Sequence, residues 1–277
     1  MDVFAECANV LRDLDRDRYL ADLFAPEATR KHLFALHAFN AEVAAVRDRV
    51  SDPRLGEIRL AWWREALPDG GRGHPVAVAL AETIATLHLP FDAFERLLQA
   101  RVFDLYDDPM PSLNDLEGYA GDTASALFQL GAIILAGGRN PGTAELSGHA
   151  GVALATAAIL RSLARDPVGN RSFLPADLAG HHGLDVATVV PGAASPQLKA
   201  VVADLVRNAR RHLDAARALL ASSDSVVRPS YLPLVLVEPY LARVDKAGFD
   251  PRPAGPDIPQ WRRQWRLWRA SGSASPI

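Results

Sequence analysis

Two alanine-rich segments of the 277-residue chain each carry an acidic residue with the chemistry of a metal ligand. Asp48 lies near the end of residues 38–52, and Asp166 ends residues 151–166. Mg²⁺ prefers hard oxygen ligands in octahedral geometry, and carboxylates one helical turn apart can point at the same ion. With Asp48 from one segment and Asp166 from the other, such a site would have too few carboxylates. The two segments are therefore either plain core helices or the walls of a metal site whose ligands have been replaced.

The apolar residues around these carboxylates recur at helical spacing. Phe39, Val43, Val46 and Val50 follow one another at steps of three and four residues, which predicts a helix over residues 28–49. Similar periodicity covers most of the chain, and alternation typical of strands is not evident. We predict an all-α fold, with one helical domain over residues 1–277.

Capping residues and prolines divide the chain into further helices. Pro75 suits the first turn of a helix, and Ser112 with Asp115 forms a capping pair for a helix that runs to about Leu135. A longer helix is predicted over residues 196–223. These helices must position any site that the two acidic residues belong to.

Composition limits the classes of function. Hydrophobic residues make up 49% of the chain and the formal net charge is −3, which is typical of a soluble globular protein and does not favour nucleic acid as a partner. Cys7 is the only cysteine, so an intrachain disulfide is excluded. The N-terminus lacks the pattern of an export signal, and residues 123–138 are too short and glycine-rich to span a bilayer. We expect a cytoplasmic protein.

An amphipathic basic segment lies near the C-terminus, at residues 259–270. Trp261, Trp265 and Trp268 share one helical face, and the arginines lie largely elsewhere, among them Arg262 and Arg266. Such a helix can lie on an anionic membrane surface, which would place the protein on the inner face of a membrane. The alternative is a terminal helix that docks its tryptophans onto the domain, leaving a basic strip for a protein partner.

Three longer motifs resemble the squalene and phytoene synthase family. They are KHLFALHAFNAEVAAVRDRV, GYAGDTASALFQLGA and GVALATAAILRSLARDPVGNRSFLP, in this order and spacing. The resemblance implies a single-domain isoprenoid (terpenoid) synthase-like helical bundle. It also implies a cleft in which two aspartate-rich helices bind Mg²⁺ and the substrate diphosphate, for head-to-head coupling of two prenyl diphosphates.

The aspartate-rich motifs of that family are degraded in this sequence. The first motif falls on Ala44, Ala45 and Asp48. The second motif falls on Arg161, Ser162, Arg165 and Asp166. Asp48 and Asp166 are thus vestigial motif positions, each beside an arginine that favours a local ion pair over a divalent ion. We predict no metal site and no cofactor.

Other family positions are retained, namely Tyr119, Arg161 and Arg171. With Arg47 and Arg165 they are our candidates for a ligand-binding cleft, because arginines can hold an anion through forked hydrogen bonds. The alternative is that the arginines pair with Asp48 and Asp166, and that Tyr119 is a core residue with a satisfied hydroxyl group.

Residues 38–67 are similar to a narrower branch, the proteins related to a mitochondrial complex I assembly factor. Asn40, Glu42, Arg59, Trp62 and Trp63 carry this likeness. Adjacent residues cannot share a helix face, so we expect one of the two tryptophans in the core and the other at the surface or in a contact.

Three hypotheses about function follow from these resemblances. The first is a catalytically silent family member that acts as an assembly or chaperone-like factor for a membrane respiratory complex, with a client protein as partner. The second is a prenyltransferase of the squalene and phytoene synthase type, which uses Mg²⁺ with Asp48, Asp166 and nearby acids. The third is a non-catalytic module that binds a prenyl or lipid ligand in an apolar cavity.

Overall fold

A computed structural model describes residues 2–191, 194–246, 249 and 258–273. These residues form helices joined by turns, without a β-strand among them, so the all-α prediction is confirmed. The helices of the first half are α1 (Val3–Leu14), α2 (Arg16–Asp22), α3 (Glu27–Ala44), α4 (Val46–Arg49), α5 (Pro53–Ala66), α6 (Pro75–Leu87), α7 (Phe91–Ala100), α8 (Leu113–Ala120) and α9 (Ala126–Leu135). The helices of the second half are α10 (Ala144–Arg165), α11 (Pro167–Asn170), α12 (Ala176–His181), α13 (Pro196–Ser222), α14 (Arg228–Tyr231), α15 (Val237–Lys246) and α16 (Gln260–Ser271).

Two large hydrophobic clusters form the core. One lies among α1, α3, α6 and α7, with Phe39 and Phe94 fully buried at its centre. The other lies among α10, α13 and α15. Helix α9 contributes side chains to both clusters, with Leu130 in the first and Ala132 in the second. Burial of these apolar side chains is the main favourable contribution to folding.

The helix predicted over residues 28–49 is interrupted near its end. Ala45 has ψ −5°, between the end of α3 and the start of α4. Its N–H donates to the Ala41 carbonyl oxygen, with N and O 3.1 Å apart. A one-residue break therefore separates Ala44 from Asp48, the two outer positions of the first motif, and Asp48 lies on a separate short helix.

The helix predicted to begin at Ser112 is capped as expected and is then interrupted. The Ser112 hydroxyl oxygen accepts the Asp115 N–H at 3.1 Å, but a π-helical segment, Gly121–Ser125, lies between α8 and α9. Helix α10 crosses this segment at Gly151, where a Cβ atom would overlap the backbone of Ser125. The absence of a side chain at Gly151 thus allows the π-helical segment and α10 to pack closely.

One helix of the described residues, α10, has the length and hydropathy that a bilayer-spanning helix needs. Within the fold, 61% of its apolar window is buried, and the helix packs along α13. Helix α10 is thus a central core helix of the bundle. The run at residues 123–138 also lies mostly in the core, as expected.

The adjacent tryptophans of α5 divide as predicted. Trp63 is 5% exposed and packs edge-on against Phe39 in the first core cluster. Trp62 is only partly buried, and its ring lies 5.2 Å from that of Trp63 and 5.5 Å from that of His74. Trp63 is therefore the core residue, and Trp62 covers it from the outside.

Candidate functional site

A cavity of about 370 Å³ lies where the two motif-bearing helices meet. Ala44 and Asp48 line it from the end of α3 and from α4, and Ala158 and Ser162 line it from α10. The two helices are therefore two walls of one cavity. At the motif positions Ala44 and Ser162 the lining has a methyl and a hydroxyl group in place of a carboxylate, and Asp48 is the motif carboxylate that remains in it.

Part of the cavity lining is apolar. Its aliphatic and aromatic lining comes from α9, α10 and the segments after them, and includes Leu127, Leu154, Ile159, Phe173 and Leu236. A wall of this kind suits a hydrocarbon chain, which gains free energy when it leaves water.

A buried polar network closes one side of the cavity. Arg101 donates to Asp104 at 3.0 Å and to the Tyr119 hydroxyl oxygen at 2.9 Å through Nη1, and to Asn40 Oδ1 at 3.1 Å through Nη2. The Tyr119 hydroxyl in turn donates to Asp104 at 2.7 Å. Tyr119 lines the cavity, and its hydroxyl group is hydrogen-bonded within the protein.

Burial and the neighbouring groups of this network shift the pKa values of Arg101 and Tyr119. Burial raises the pKa of Tyr119 well above its usual range, although the neighbouring Arg101 opposes this shift. Burial alone would lower the pKa of Arg101, but Tyr119 and Asp104 outweigh it and raise that pKa. Arg101 therefore stays positive and Tyr119 stays neutral, so Tyr119 is not poised as a base.

Two further acids of the lining are paired with arginines. Asp15 accepts from Arg18 at 3.2 Å, and Asp17 accepts from Arg263 of α16 at 2.6 Å. Burial raises the pKa of Asp17, and the charge of Arg263 opposes that shift. Three of the four aspartates that line the cavity, counting Asp104, thus have arginine partners.

Asp48 and Asp166 differ in their positions. Asp48 lines the cavity with an exposed side chain, whereas Asp166 is exposed at the start of α11 and outside the lining. The Asp166 carboxylate caps α11 by accepting the Gly169 N–H at 3.0 Å. Neither carboxylate forms an ion pair with Arg47, Arg161, Arg165 or Arg171 in the described part of the chain, so the expectation that arginines neutralise them was wrong.

The five residues predicted to form a ligand-binding cleft are only partly brought together. Tyr119, Arg47 and Arg161 line the cavity. Arg47 donates to the Gly169 carbonyl oxygen, and the Arg161 guanidinium lies 3.9 Å from the centre of the Tyr240 ring. Arg165 and Arg171 lie outside this lining. Arg165 is exposed outside the lining, because α10 ends there, and Arg171 donates to the Ala187 carbonyl oxygen at 3.3 Å.

The donor set of the cavity does not fit Mg²⁺. Asp15, Asp17 and Asp104 are engaged by arginines, and Asp48 is the remaining lining carboxylate. Over the described ranges, no group of three or more His, Cys, Asp or Glu side chains has the arrangement of a metal site. Mg²⁺ sites use carboxylates that are free to bind the ion. These residues therefore support no metal-dependent step.

Helix α16 covers the cavity region from the outside. It packs against α2 and the segment Leu232–Leu236. Leu267 is fully buried in a small third cluster, and Arg263 forms the ion pair with Asp17. The alternative that the tryptophans dock onto the domain was wrong, because Trp261, Trp265 and Trp268 are 65%, 49% and 64% exposed.

The network around Arg101 and the ion pair of Asp17 with Arg263 were not predicted. Arg101 and Asp104 lie three residues apart, a spacing that predicts contact within one helical turn. Arg101 contacts Tyr119 and Asn40, which are distant from it in sequence. Asp17 and Arg263 are also far apart in the chain. The order of residues alone does not indicate these contacts.

Comparison with known proteins settles the family. A sequence profile described as squalene/phytoene synthase matches residues 11–269, which is most of the chain. The chain belongs to the squalene/phytoene synthase family. The resemblance drawn from the three motifs is therefore confirmed.

The proteins that this chain is similar to are named either as assembly factors or as synthases. The chain is 29% identical to "NADH dehydrogenase (ubiquinone) complex I, assembly factor 6" of Bos taurus, over 88% of this chain and 74% of that protein. It is 30% identical to presqualene diphosphate synthase of Rhodopseudomonas palustris, over 72% of each chain. A squalene synthase structure from Alicyclobacillus acidocaldarius superposes with a TM-score of 0.76, at 24% identity over 90% of this chain and 95% of that one. The isoprenoid synthase-like fold is thus confirmed.

Proposed function

We propose that this family member is catalytically silent and acts as an assembly or chaperone-like factor for a membrane respiratory complex. The observation that carries this proposal is a retained cavity whose motif positions have lost the carboxylates that metal-dependent chemistry needs. Ala44 and Ser162 line it, and the lining acids other than Asp48 are paired with arginines. Likeness to a complex I assembly factor supports the same role.

The proposed client is a subunit or intermediate of the respiratory complex, which the protein would hold during assembly. The proposal includes a location in the cytoplasm, peripherally on the inner face of a membrane, where a factor for a membrane complex can reach its client. This role requires neither a cofactor nor nucleic acid. An assembly factor acts through the surface of its fold. A shared fold does not imply that this chain performs the chemistry of other family members.

A second candidate function is binding of a prenyl or lipid ligand without catalysis. The cavity favours it, because its lining combines apolar side chains, such as Leu127, Leu154 and Phe173, with Arg47 and Arg161. A hydrocarbon chain would contact the wall, and a negatively charged head group would lie near the arginines. Head-to-head coupling of prenyl diphosphates with Mg²⁺ is the enzymatic alternative, and the likeness to a presqualene diphosphate synthase is the observation in its favour.

Gene deletion and rescue test the proposed function. Deletion in the native host is expected to lower the amount of assembled NADH dehydrogenase (ubiquinone) complex, measured on a native gel. Re-expression of the wild type and of Asp48→Asn/Asp166→Asn should restore it equally. Asparagine can still cap α11, so this double variant removes the two carboxylate charges and preserves the fold.

The other outcomes assign the other functions. Rescue by the wild type but not by the double variant would indicate catalysis through these carboxylates. A third variant, Ala158→Trp, fills the cavity from an exposed lining position. If it is the one variant that does not restore the assembled complex, the result would indicate that a ligand binds in the cavity. An unchanged amount of assembled complex after deletion would contradict the assembly role.

A further inference from the structure

The outer face of α16 combines large apolar rings with positive charge. Trp261, Trp265 and Trp268 follow one another at steps of four and three residues, so they lie along one side of the helix. All three rings are exposed to solvent by about half or more. The described helix buries Leu267 and Ala270 on its other side, and the fold therefore does not need the tryptophans to anchor it.

The arginines of α16 lie beside these rings. The Arg262 guanidinium is 5.0 Å from the centre of the Trp261 ring, and that of Arg269 is 5.3 Å from the Trp265 ring. Arg266 is also exposed, and the helix contains no acidic residue. Arg263, the fourth arginine, points inward to Asp17.

Within the described residues, no ion pair with an acid compensates the positive charge of Arg262, Arg266 or Arg269. Trp265, Arg266 and Arg269 border a shallow groove whose acidic residue is Glu238. The Glu238 carboxylate is already paired with Arg210, at 2.9 Å. The outer face thus has a local excess of positive charge on a chain whose formal net charge is −3.

We infer that this tryptophan-arginine face of α16 binds the surface of an anionic phospholipid bilayer. Indole rings favour the interface between lipid head groups and acyl chains, and arginines beside them attract anionic head groups. A second copy of the chain fits less well, because a symmetric contact would bring the arginines of both helices together without an acid between them. The inference rests on the exposed face and does not depend on the absence of catalysis.

Vesicle flotation tests this inference with the full chain. The wild type is expected to float with vesicles of phosphatidylcholine and phosphatidylglycerol, and much less with phosphatidylcholine alone. Arg262→Glu/Arg266→Glu/Arg269→Glu should weaken binding by at least roughly 100-fold, since each basic residue near an anionic leaflet contributes about a factor of five. Trp261→Ala/Trp265→Ala/Trp268→Ala should weaken binding by at least roughly 10-fold.

Matched controls come from α5, which has exposed arginines and exposed apolar side chains. Arg54→Glu/Arg59→Glu/Arg64→Glu changes the net charge by the same amount, and Leu55→Ala/Ile58→Ala removes apolar side chains that are 51% and 64% exposed. Both controls should float like the wild type, and circular dichroism should show unchanged melting for all variants.

Two results would overturn the inference. One is a wild-type chain that stays at the bottom of the gradient with both lipid mixtures. The other is equal flotation of the α16 variants and the wild type. If the tryptophan variant instead loses a dimer seen by size-exclusion chromatography while lipid binding is absent, the face belongs to a second copy. None of these results would alter the outcome of the gene-deletion experiment.

Discussion

Replacing Arg101 with leucine is expected to lower the free energy of unfolding by about 3–5 kcal/mol, because it breaks a buried ion pair by removing one partner. Among the described residues, Asp104 would be left with the Tyr119 hydroxyl as its donor, and Asn40 Oδ1 would lose the donor from Arg101. Urea unfolding followed by circular dichroism measures this change.

Two further variants separate the network from a general effect of charge. Arg96→Leu removes an arginine of α7 whose ion pair with Asp92 is exposed, and it should cost less than about 1 kcal/mol. Arg101→Leu/Asp104→Leu should recover part of the stability lost in Arg101→Leu, since no buried charge then remains unpaired. A single variant as stable as the wild type would show that the network is not closed in solution.

Replacing Leu267 with alanine is expected to lower the free energy of unfolding by about 2–5 kcal/mol. Leu267 of α16 is fully buried against α2 and the segment Leu232–Leu236, so truncation of its side chain leaves a cavity. Thermal and urea unfolding of the variant measure the loss.

The neighbouring exposed tryptophan provides the control for Leu267. Trp268→Ala removes a larger side chain that is 64% exposed, and it should change the free energy of unfolding by no more than about 0.5 kcal/mol. The opposite order, with Trp268→Ala the more harmful, would mean that the tryptophans dock onto the domain.

The helical architecture could be predicted because its signals are local. Apolar periodicity predicted α3, α10 and α13, and the cap at Ser112 was visible in the sequence. The interruptions could not be predicted. The break at Ala45 and the π-helical segment Gly121–Ser125 are not marked by a proline or by a capping residue in the sequence. Tertiary contacts, such as that of Gly151 with Ser125, decide these local conformations.

The site was predictable at the level of its walls but not of its side chains. The motifs indicated the end of α3 and α10, and residues of both helices line the cavity together with Tyr119, Arg47 and Arg161. Helix spacing cannot reveal that α10 ends at Arg165 and turns Asp166 into a cap.

The orientation of α16 shows the same limit. Its sequence carries two alternative faces, one with three tryptophans and one with Leu267 and Ala270, and either could face the core. A sequence pattern favours the larger apolar surface. The contacts of Arg263 with Asp17 and of Leu267 with the third cluster select the smaller one.

Release of pyrophosphate from farnesyl or geranylgeranyl diphosphate, measured with and without Mg²⁺, tests the central claim most directly. We expect no release above a control without enzyme and no coupled product, because the cavity lacks the free carboxylates that would hold the metal. Mg²⁺-dependent release that disappears in Asp48→Asn would contradict the account, since it would show that the remaining carboxylate at the cavity still serves a catalytic metal.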